Sequence, residues 1–242
     1  MNATPCIIKL SHISFAYPGS DVDVLNNLDL TLCQGEKIGL IAPNGSGKTT
    51  LFHTIMGLSQ PRQGTIELLG KPMRTPKDFE AIRTQIGLLF QDADDQLFCP
   101  TVLDDVAFGP LNLGFSKEEA KNTALETIHE LGLSGIRDSV THRLSGGQKR
   151  LVALAAVLAM RPKALLLDEP TAGLDMDVKE TLINILNSLD ISMMIISHEF
   201  DFIHEVTHKI YSMENGKILT DEEVHVHQHE HVHRHGRHPH KH

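Results

Sequence analysis

The stretch Ala42-Pro43-Asn44-Gly45-Ser46-Gly47-Lys48-Thr49-Thr50 follows the apolar run Lys37 to Ile41 and precedes the apolar-periodic stretch Leu51 to Leu58. Strand, glycine-bearing loop and helix in that order form the setting of a phosphate-binding loop. Gly45 and Gly47 open backbone conformations closed to residues with a Cβ, so successive N–H groups can turn inward on phosphate oxygens. A helix beginning near Lys48 adds its positive dipole end. Lys48 supplies a mobile charge for the β- and γ-phosphates, and the Thr49 hydroxyl is placed to ligate Mg²⁺. The pattern G-x-x-x-x-G-K-[ST] wants glycine at position 42, where this chain has Ala42. A methyl group is tolerated there if residue 42 keeps a negative φ.

Upstream, Ile7 to Tyr17 alternates as a strand does, Pro18-Gly19-Ser20 turns, and Leu28 to Leu32 reads as a second strand. Tyr17, just before the turn, is either a platform for a nucleobase or an ordinary strand-end aromatic. Downstream, Gly64 to Leu69 and Gln85 to Phe90 read as strands on either side of a helix at Asp78 to Ile82. Gln91 then stands at a strand end, before the polar loop Asp92 to Phe98. Its carboxamide can reach a Mg²⁺ ion or an attacking water, or simply belong to a solvated acidic loop.

Ser116-Lys117-Glu118-Glu119 is a capping box that opens a helix running through Leu131. Leu144-Ser145-Gly146-Gly147-Gln148 feeds a further helix, Gly146 to about Met160, and sets Ser145 and two glycine amides at its N-terminus. This is an anion site by the same physics as the first, or else only a cap followed by glycines. Ala164 to Leu167 is continuous and apolar, as in a buried parallel strand, and delivers Asp168-Glu169 to the carboxyl edge of its sheet. Adjacent strand residues point in different directions, so Asp168 can face Mg²⁺ while Glu169 faces a water; a structural ion pair is the alternative. Ala172-Gly173-Leu174-Asp175 leads into a helix, Val178 to Leu189, and Met193 to Ile196 repeats the buried-strand pattern before Ser197-His198. His198 is thus placed to meet a γ-phosphate and a water, or to act structurally. Glu214-Asn215-Gly216-Lys217 is a tight hairpin within Lys209 to Leu219.

At 242 residues the chain can bury a full α/β core with room for one inserted subdomain. Its formal net charge of -9 argues against a general nucleic-acid binder. Cys6, Cys33 and Cys99 are odd in number, widely spaced and without a C-x-x-C pair, so neither a disulfide framework nor a cysteine zinc site is indicated, and a reducing cytosol fits. The start does not resemble a signal peptide, and the longest apolar run, Leu151 to Met160, is half the length that spans a bilayer. The expectation is a chain that does not itself cross a membrane.

The phosphate loop, Gln91, Leu144-Ser145-Gly146-Gly147-Gln148, Asp168-Glu169, Asp175 and His198 fall in one order with one set of spacings. In these the sequence resembles the ATP-binding subunits of ABC transporters over about Ile7 to Thr220. The resemblance implies an α/β fold: a P-loop nucleotide-hydrolase core at 1–90 and 162–221, with an inserted helical subdomain at 91–161 that carries the signature Ser145, Gly146, Gly147 and Gln148. It further implies ATP and Mg²⁺ as ligands, with ATP held by Tyr17 and residues 42–50 and Mg²⁺ by Thr49, Gln91 and Asp168. Glu169 would then be the general base and His198 the switch histidine. Each signature would serve the site of a partner chain in a head-to-tail homodimer, or in a heterodimer with a second ATPase. Ala172, where the family often has serine, is a second departure. Phe90-Gln91-Asp92 with Asp95-Gln96-Leu97-Phe98 looks like the ATPases of energy-coupling importers, in particular those of cobalt and nickel uptake. In those systems a membrane protein inserts helices beside this loop. The place implied is the cytoplasmic face of the cell membrane, and no nucleic acid is implied.

The end of the chain carries nine histidines: His225, His227, His229, His231, His233, His235, His238, His240 and His242. Nothing there could pack a core, so disorder is expected over 222–242, and imidazole suits Ni²⁺, Co²⁺, Cu²⁺ and Zn²⁺. Three functions remain open on sequence: a transport motor, a soluble ABC ATPase of repair or translation, and a metal store on a nucleotide-binding scaffold.

Overall fold

The computed structural model of the chain describes residues 5–219; the histidine-rich segment lies outside them. Two sheets share one core. The first is antiparallel, in the order β2 (Leu25–Cys33), β1 (Cys6–Phe15), β4 (Gln63–Leu68), β5 (Lys71–Met73). The second has the order β10 (Lys217–Leu219), β9 (Lys209–Glu214), β3 (Lys37–Ile41), β8 (Ser192–Ser197), β7 (Ala164–Asp168), β6 (Ile86–Leu89). Its strands are parallel except β10, which returns antiparallel through the Asn215-Gly216 turn.

The continuous apolar runs of β7 and β8 have a simple cause, which is that both faces of this sheet are covered. Leu166, Met194 and Ile196 face the antiparallel sheet and α1 (Lys48–Ile55), while Leu165, Leu167, Met193 and Ile195 face the helices of the other side. Those helices include α3 (Val102–Asn112), α4 (Lys117–Glu130), α5 (Gly146–Leu158), α6 (Met176–Ser188) and α7 (Phe200–Val206). A further helix, α2 (Pro76–Arg83), starts with a Thr75/Asp78 capping box. Packing is close enough to require glycine in the strands. A Cβ on Gly87 of β6 would lie 2.3 Å from Val157 of α5, and one on Gly39 of β3 would lie 2.3 Å from Ile203 of α7.

Helices α3, α4 and α5 lie in the chain between β6 and β7. The C-terminal part of α5 packs on the sheet itself, as the Gly87 contact shows, so this helix is shared between the parallel sheet and the helical layer. Among the described residues no helix is long and apolar enough to cross a membrane.

Candidate active site

Neighbouring parallel strands end at one edge. The register pairs Ile41 with Ser197, Ile196 with Asp168 and Leu167 with Leu89, so the phosphate loop, His198, Asp168-Glu169 and Gln91 all emerge at the carboxyl ends of β3, β8, β7 and β6. Ligands of open parallel sheets bind at this edge.

The loop after β3 takes the conformation its glycines permit. Gly45 and Gly47 have φ of 80° and 100°, and Gly47 is the N-cap of α1. Ala42 is buried and is not among the positive-φ residues, so its methyl group is accommodated. Tyr17 is half exposed, sets its ring edge-on to Phe15 and shares a 2.9 Å hydrogen bond between its hydroxyl and Thr50 Oγ1.

Lys48 Nζ donates to Glu169 Oε1 at 2.5 Å, and both side chains are buried. The other Glu169 oxygen, Oε2, lies 2.8 Å from His198 Nδ1. An ionised carboxylate only accepts, so Nδ1 carries the proton in this contact. Glu169 itself holds φ = 45°, a left-handed backbone in a residue with a Cβ, as is met at sites where geometry is imposed by function. The two adjacent acids thus have separate partners, with Glu169 one residue past the end of β7. Asp168 Oδ2 accepts from Thr49 Oγ1 at 2.8 Å, whereas its Oδ1 is buried with no hydrogen-bond partner. Burial lifts the Asp168 carboxyl above its ordinary range; the Thr49 hydrogen bond offsets this only in part, and the Glu169 charge adds to it. A buried, unpartnered carboxylate oxygen beside a hydroxyl is a hard-oxygen donor set, and it fits Mg²⁺.

Thr49 and Asp168 line a cleft of about 680 Å³ together with His53, Gln91, Gly146, Lys149 and Arg150. Gln91 is exposed at its rim, and its backbone carbonyl accepts from Arg150 Nη2 at 2.5 Å, while Phe90 O accepts from Nη1 at 2.6 Å. Ser145 is exposed. It caps α5 by accepting from the Gln148 backbone N–H, and the Gln148 side chain accepts from Ser145 N at 3.0 Å. No hydrogen bond joins Ser145, Gly146, Gly147 or Gln148 to Lys48 or Glu169 among the described residues.

Sequence reading did not single out Arg150, Lys149 with its 2.6 Å ion pair to Asp94, or the group Thr171, Lys179 and Glu199. The available signal for Arg150 was a cation set directly before the apolar run Leu151 to Met160. The cysteine spacing also concealed a contact: Cys6 and Cys33 are free, cross-strand partners, with sulfurs 3.6 Å apart.

Phosphate recognition by one strand's loop and acid chemistry from a second strand two places along is the division of labour of P-loop nucleotide hydrolases. Residues 25–172 match the family described as ABC transporter, and the chain belongs to that family. It is 40% identical over 219 residues to the energy-coupling factor transporter ATP-binding protein EcfA of Methanocaldococcus jannaschii, covering 89% of this chain and 78% of that one. It is 41% identical, with the same two coverages, to the cobalt import ATP-binding protein CbiO of Rhodobacter capsulatus. Among solved structures it resembles CbiO1 of Clostridium perfringens, part of the complex cbiONQ, with a TM-score of 0.79 and 33% identity over 89% of this chain and 87% of that one. It also resembles a dimeric ATP-binding cassette in a post-hydrolysis state with ADP and Pi, with a TM-score of 0.80 and 26% identity over 87% and 96%. The chain is accordingly an ABC-type ATPase subunit of a transporter, binding ATP with Mg²⁺.

Proposed function

We propose that the chain powers an energy-coupling importer of nickel or cobalt ions, as a head-to-tail dimer on the cytoplasmic face of the membrane, bound to integral membrane subunits. Hydrolysis rests on one observation, the meeting of Lys48 and Glu169 at 2.5 Å beside the Thr49–Asp168 contact. Incoming phosphates compete with Glu169 for Lys48, and the loop amides at Gly45 to Lys48 fix the phosphate oxygens. Mg²⁺, which Thr49 and Asp168 would hold with the aid of Gln91, supplies charge neutralisation on the β- and γ-phosphates. Released from Lys48, Glu169 takes a proton from the attacking water while His198 keeps it oriented. In this reading Tyr17 stacks on the base, and residues 91–161 form an inserted helical unit on a core of 1–90 and 162–221.

Transport is supported by similarity to proteins named for energy coupling and cobalt import. A second support is the exposed pair Phe98 and Phe108, edge to face at 4.7 Å, close in sequence to the Gln91 loop where the resemblance puts a membrane-protein helix. The test is co-purification with a polytopic membrane protein, followed by uptake of radioactive nickel or cobalt into cells. Wild-type chain should support uptake and Glu169→Gln should abolish it. Unchanged uptake without this chain would remove the metal-import reading.

His225, His227, His229, His231, His233, His235, His238, His240 and His242 lie outside the described residues, and we assign them to binding a first-row divalent metal near the membrane entry. Imidazole must be neutral to ligate, so binding should weaken as pH falls through about 6.5. Truncation after Asp221 should remove most metal binding by calorimetry and leave basal ATP hydrolysis intact. Equal uptake by full-length and truncated chains at limiting and at toxic metal would rule out a physiological role.

A further inference from the structure

Directly behind His198 stands Glu199, which the mechanism above leaves unused. Its Oε1 accepts from Thr171 Oγ1 at 2.6 Å, and its Oε2 takes the Lys179 ammonium in an ion pair. Its own backbone N–H donates to Ser197 Oγ at 3.1 Å. The three segments joined here are functionally distinct. Thr171 is buried in the turn that follows Glu169, a turn closed by Ala172 N donating to Glu169 O at 3.2 Å and Leu174 N to Thr171 O at 3.2 Å. Lys179 lies in the first turns of α6, whose N-cap is Asp175. Glu199 belongs to the loop that presents His198 and is the N-cap residue of α7.

We propose that Glu199 is a positioning residue for ATP hydrolysis, a carboxylate brace that holds the Glu169 turn, the His198 loop and the start of α6 in one register. The proposal rests on reading Glu169 as the base and His198 as its partner. Burial alone would push the Glu199 carboxyl pKa up, but hydrogen bonds from Lys179 and Thr171 and the Lys179 charge outweigh it and hold the group ionised. An ionised acceptor with two fixed donors resists rotation better than a neutral one, because charge-assisted hydrogen bonds are about twice as strong. The His198–Glu169 contact needs this support. His198 is mostly exposed, with a side chain 64% accessible, so packing does little to restrain its ring. The strained backbone of Glu169 is likewise held from outside, by its N–H to Ile196 O at 2.9 Å and by the turn that Thr171 anchors. Because Lys179 shares a helix with Asp175, any displacement of the start of α6 is carried through Glu199 to the reacting pair.

The experiment is steady-state ATP hydrolysis by the full-length chain, with nucleotide affinity and melting temperature measured on the same preparations. Glu199→Gln, near in shape, keeps an acceptor for Thr171 and loses the ion pair; Glu199→Ala loses both. Misplacement of a catalytic group by about an ångström lowers rate on the order of 100-fold, so kcat should fall roughly 10-fold in the first and up to 100-fold in the second. KM for ATP should stay within about twofold, since the phosphate loop is untouched. Lys179→Arg should retain kcat near wild type, and Lys179→Met should match Glu199→Gln. Normal kcat in Glu199→Ala, with Glu169→Gln inactive, overturns the brace and leaves the base assignment standing. Turnover surviving in Glu169→Gln overturns the base assignment and the brace with it. A fall in kcat matched by equal losses of affinity and melting temperature also overturns the brace, as it marks a structural residue only.

Discussion

Asp168 and Glu169 are neighbours in sequence and opposite in electrostatic design. Glu169 has two partners of potential or actual positive charge, Lys48 and His198, whereas Asp168 keeps one buried oxygen with none. A carboxyl whose pKa burial has raised lowers the stability of the ligand-free fold. That penalty is absent below the unfolded value of about 3.9, accumulates as pH rises from there to the folded value, and is complete above it. Asn at this position carries no such penalty and can still accept from Thr49. Asp168→Asn should therefore melt higher than wild type near about pH 7.5 without ligand, by roughly 2–4 °C per kcal/mol relieved, and the difference should vanish near about pH 4. The same variant should lose most Mg-ATP hydrolysis. A lower melting temperature at about pH 7.5 would contradict the assignment of Asp168 as an acid kept in an unfavourable place for its ligand. Lys48 gives the converse case. Lys48→Ala leaves Glu169 buried beside His198 alone, so the apo fold should lose stability, on the order of 3 kcal/mol in urea denaturation. Adding Glu169→Gln to Lys48→Ala should recover part of that loss.

Among the elements, strands were legible where both faces are buried and least legible at edges and turns. Lys37 to Ile41 coincides with β3, and the Ala164 and Met193 runs fall within one residue of β7 and β8, because a continuous apolar run has one explanation once its sheet is covered on both sides. By contrast β2 begins three residues before the expected Leu28, since Asn26 and Asn27 interrupt the pattern and Asn27 sits at φ = 48° beside a register shift. Strand β5, three residues with Pro72 at a sheet edge, carried no signal. Helix α3 was missed for a different reason. Gly109 and Pro110 lie inside it and Phe108 and Leu111 are exposed, so its periodicity is blurred by a surface left uncovered in the single chain. The capping box at Ser116 and the cap at Ser145 located the starts of α4 and α5 to the residue, and the helices end one and two residues before the expected Leu131 and Met160. What they could not show is the tie between α5 and the Gln91 loop through Arg150. Its guanidinium is buried, with two carbonyl partners, and burial lowers its pKa. Arg150→Met should destabilise by roughly 2–4 kcal/mol, because both carbonyls lose charge-assisted partners. Lysine should rescue only in part, since one ammonium lacks the planar fork that spans both carbonyls. Chemical denaturation of the three proteins measures this directly.

At the scale of the whole molecule, the site is built at one sheet edge, and of the signature only Gly146 lines its cleft, without Ser145, Gly147 or Gln148. Each chain has one phosphate loop and one Ser145-Gly146-Gly147 helix start, and Ser145 is exposed with no hydrogen bond to Lys48 or Glu169 among the described residues. Backbone amides at a helix N-terminus attract anions, so an exposed start such as this is available as the half-site that the proposed dimer requires. In the head-to-tail dimer proposed above, two copies related by a two-fold axis would place each start over the other's phosphate loop, forming two identical sites. The prediction is complementation between variants that are each inactive alone. Lys48→Ala removes the ammonium that meets the phosphates, and Ser145→Ala removes the hydroxyl that caps α5 and, in the proposed dimer, reaches the partner's phosphate. In a mixed dimer, one site combines Lys48→Ala with Ser145→Ala and the other combines wild-type Lys48 with wild-type Ser145. Mixing equal amounts gives half of all dimers as mixed if pairing is random, so hydrolysis should return to about a quarter of the wild-type rate when sites act independently. Each pure variant should stay near background. Mixed dimers shown by native mass spectrometry to form, yet with no activity above either parent, would count against independent composite sites. Activity of pure Ser145→Ala near wild type would count against any role for Ser145 across the interface.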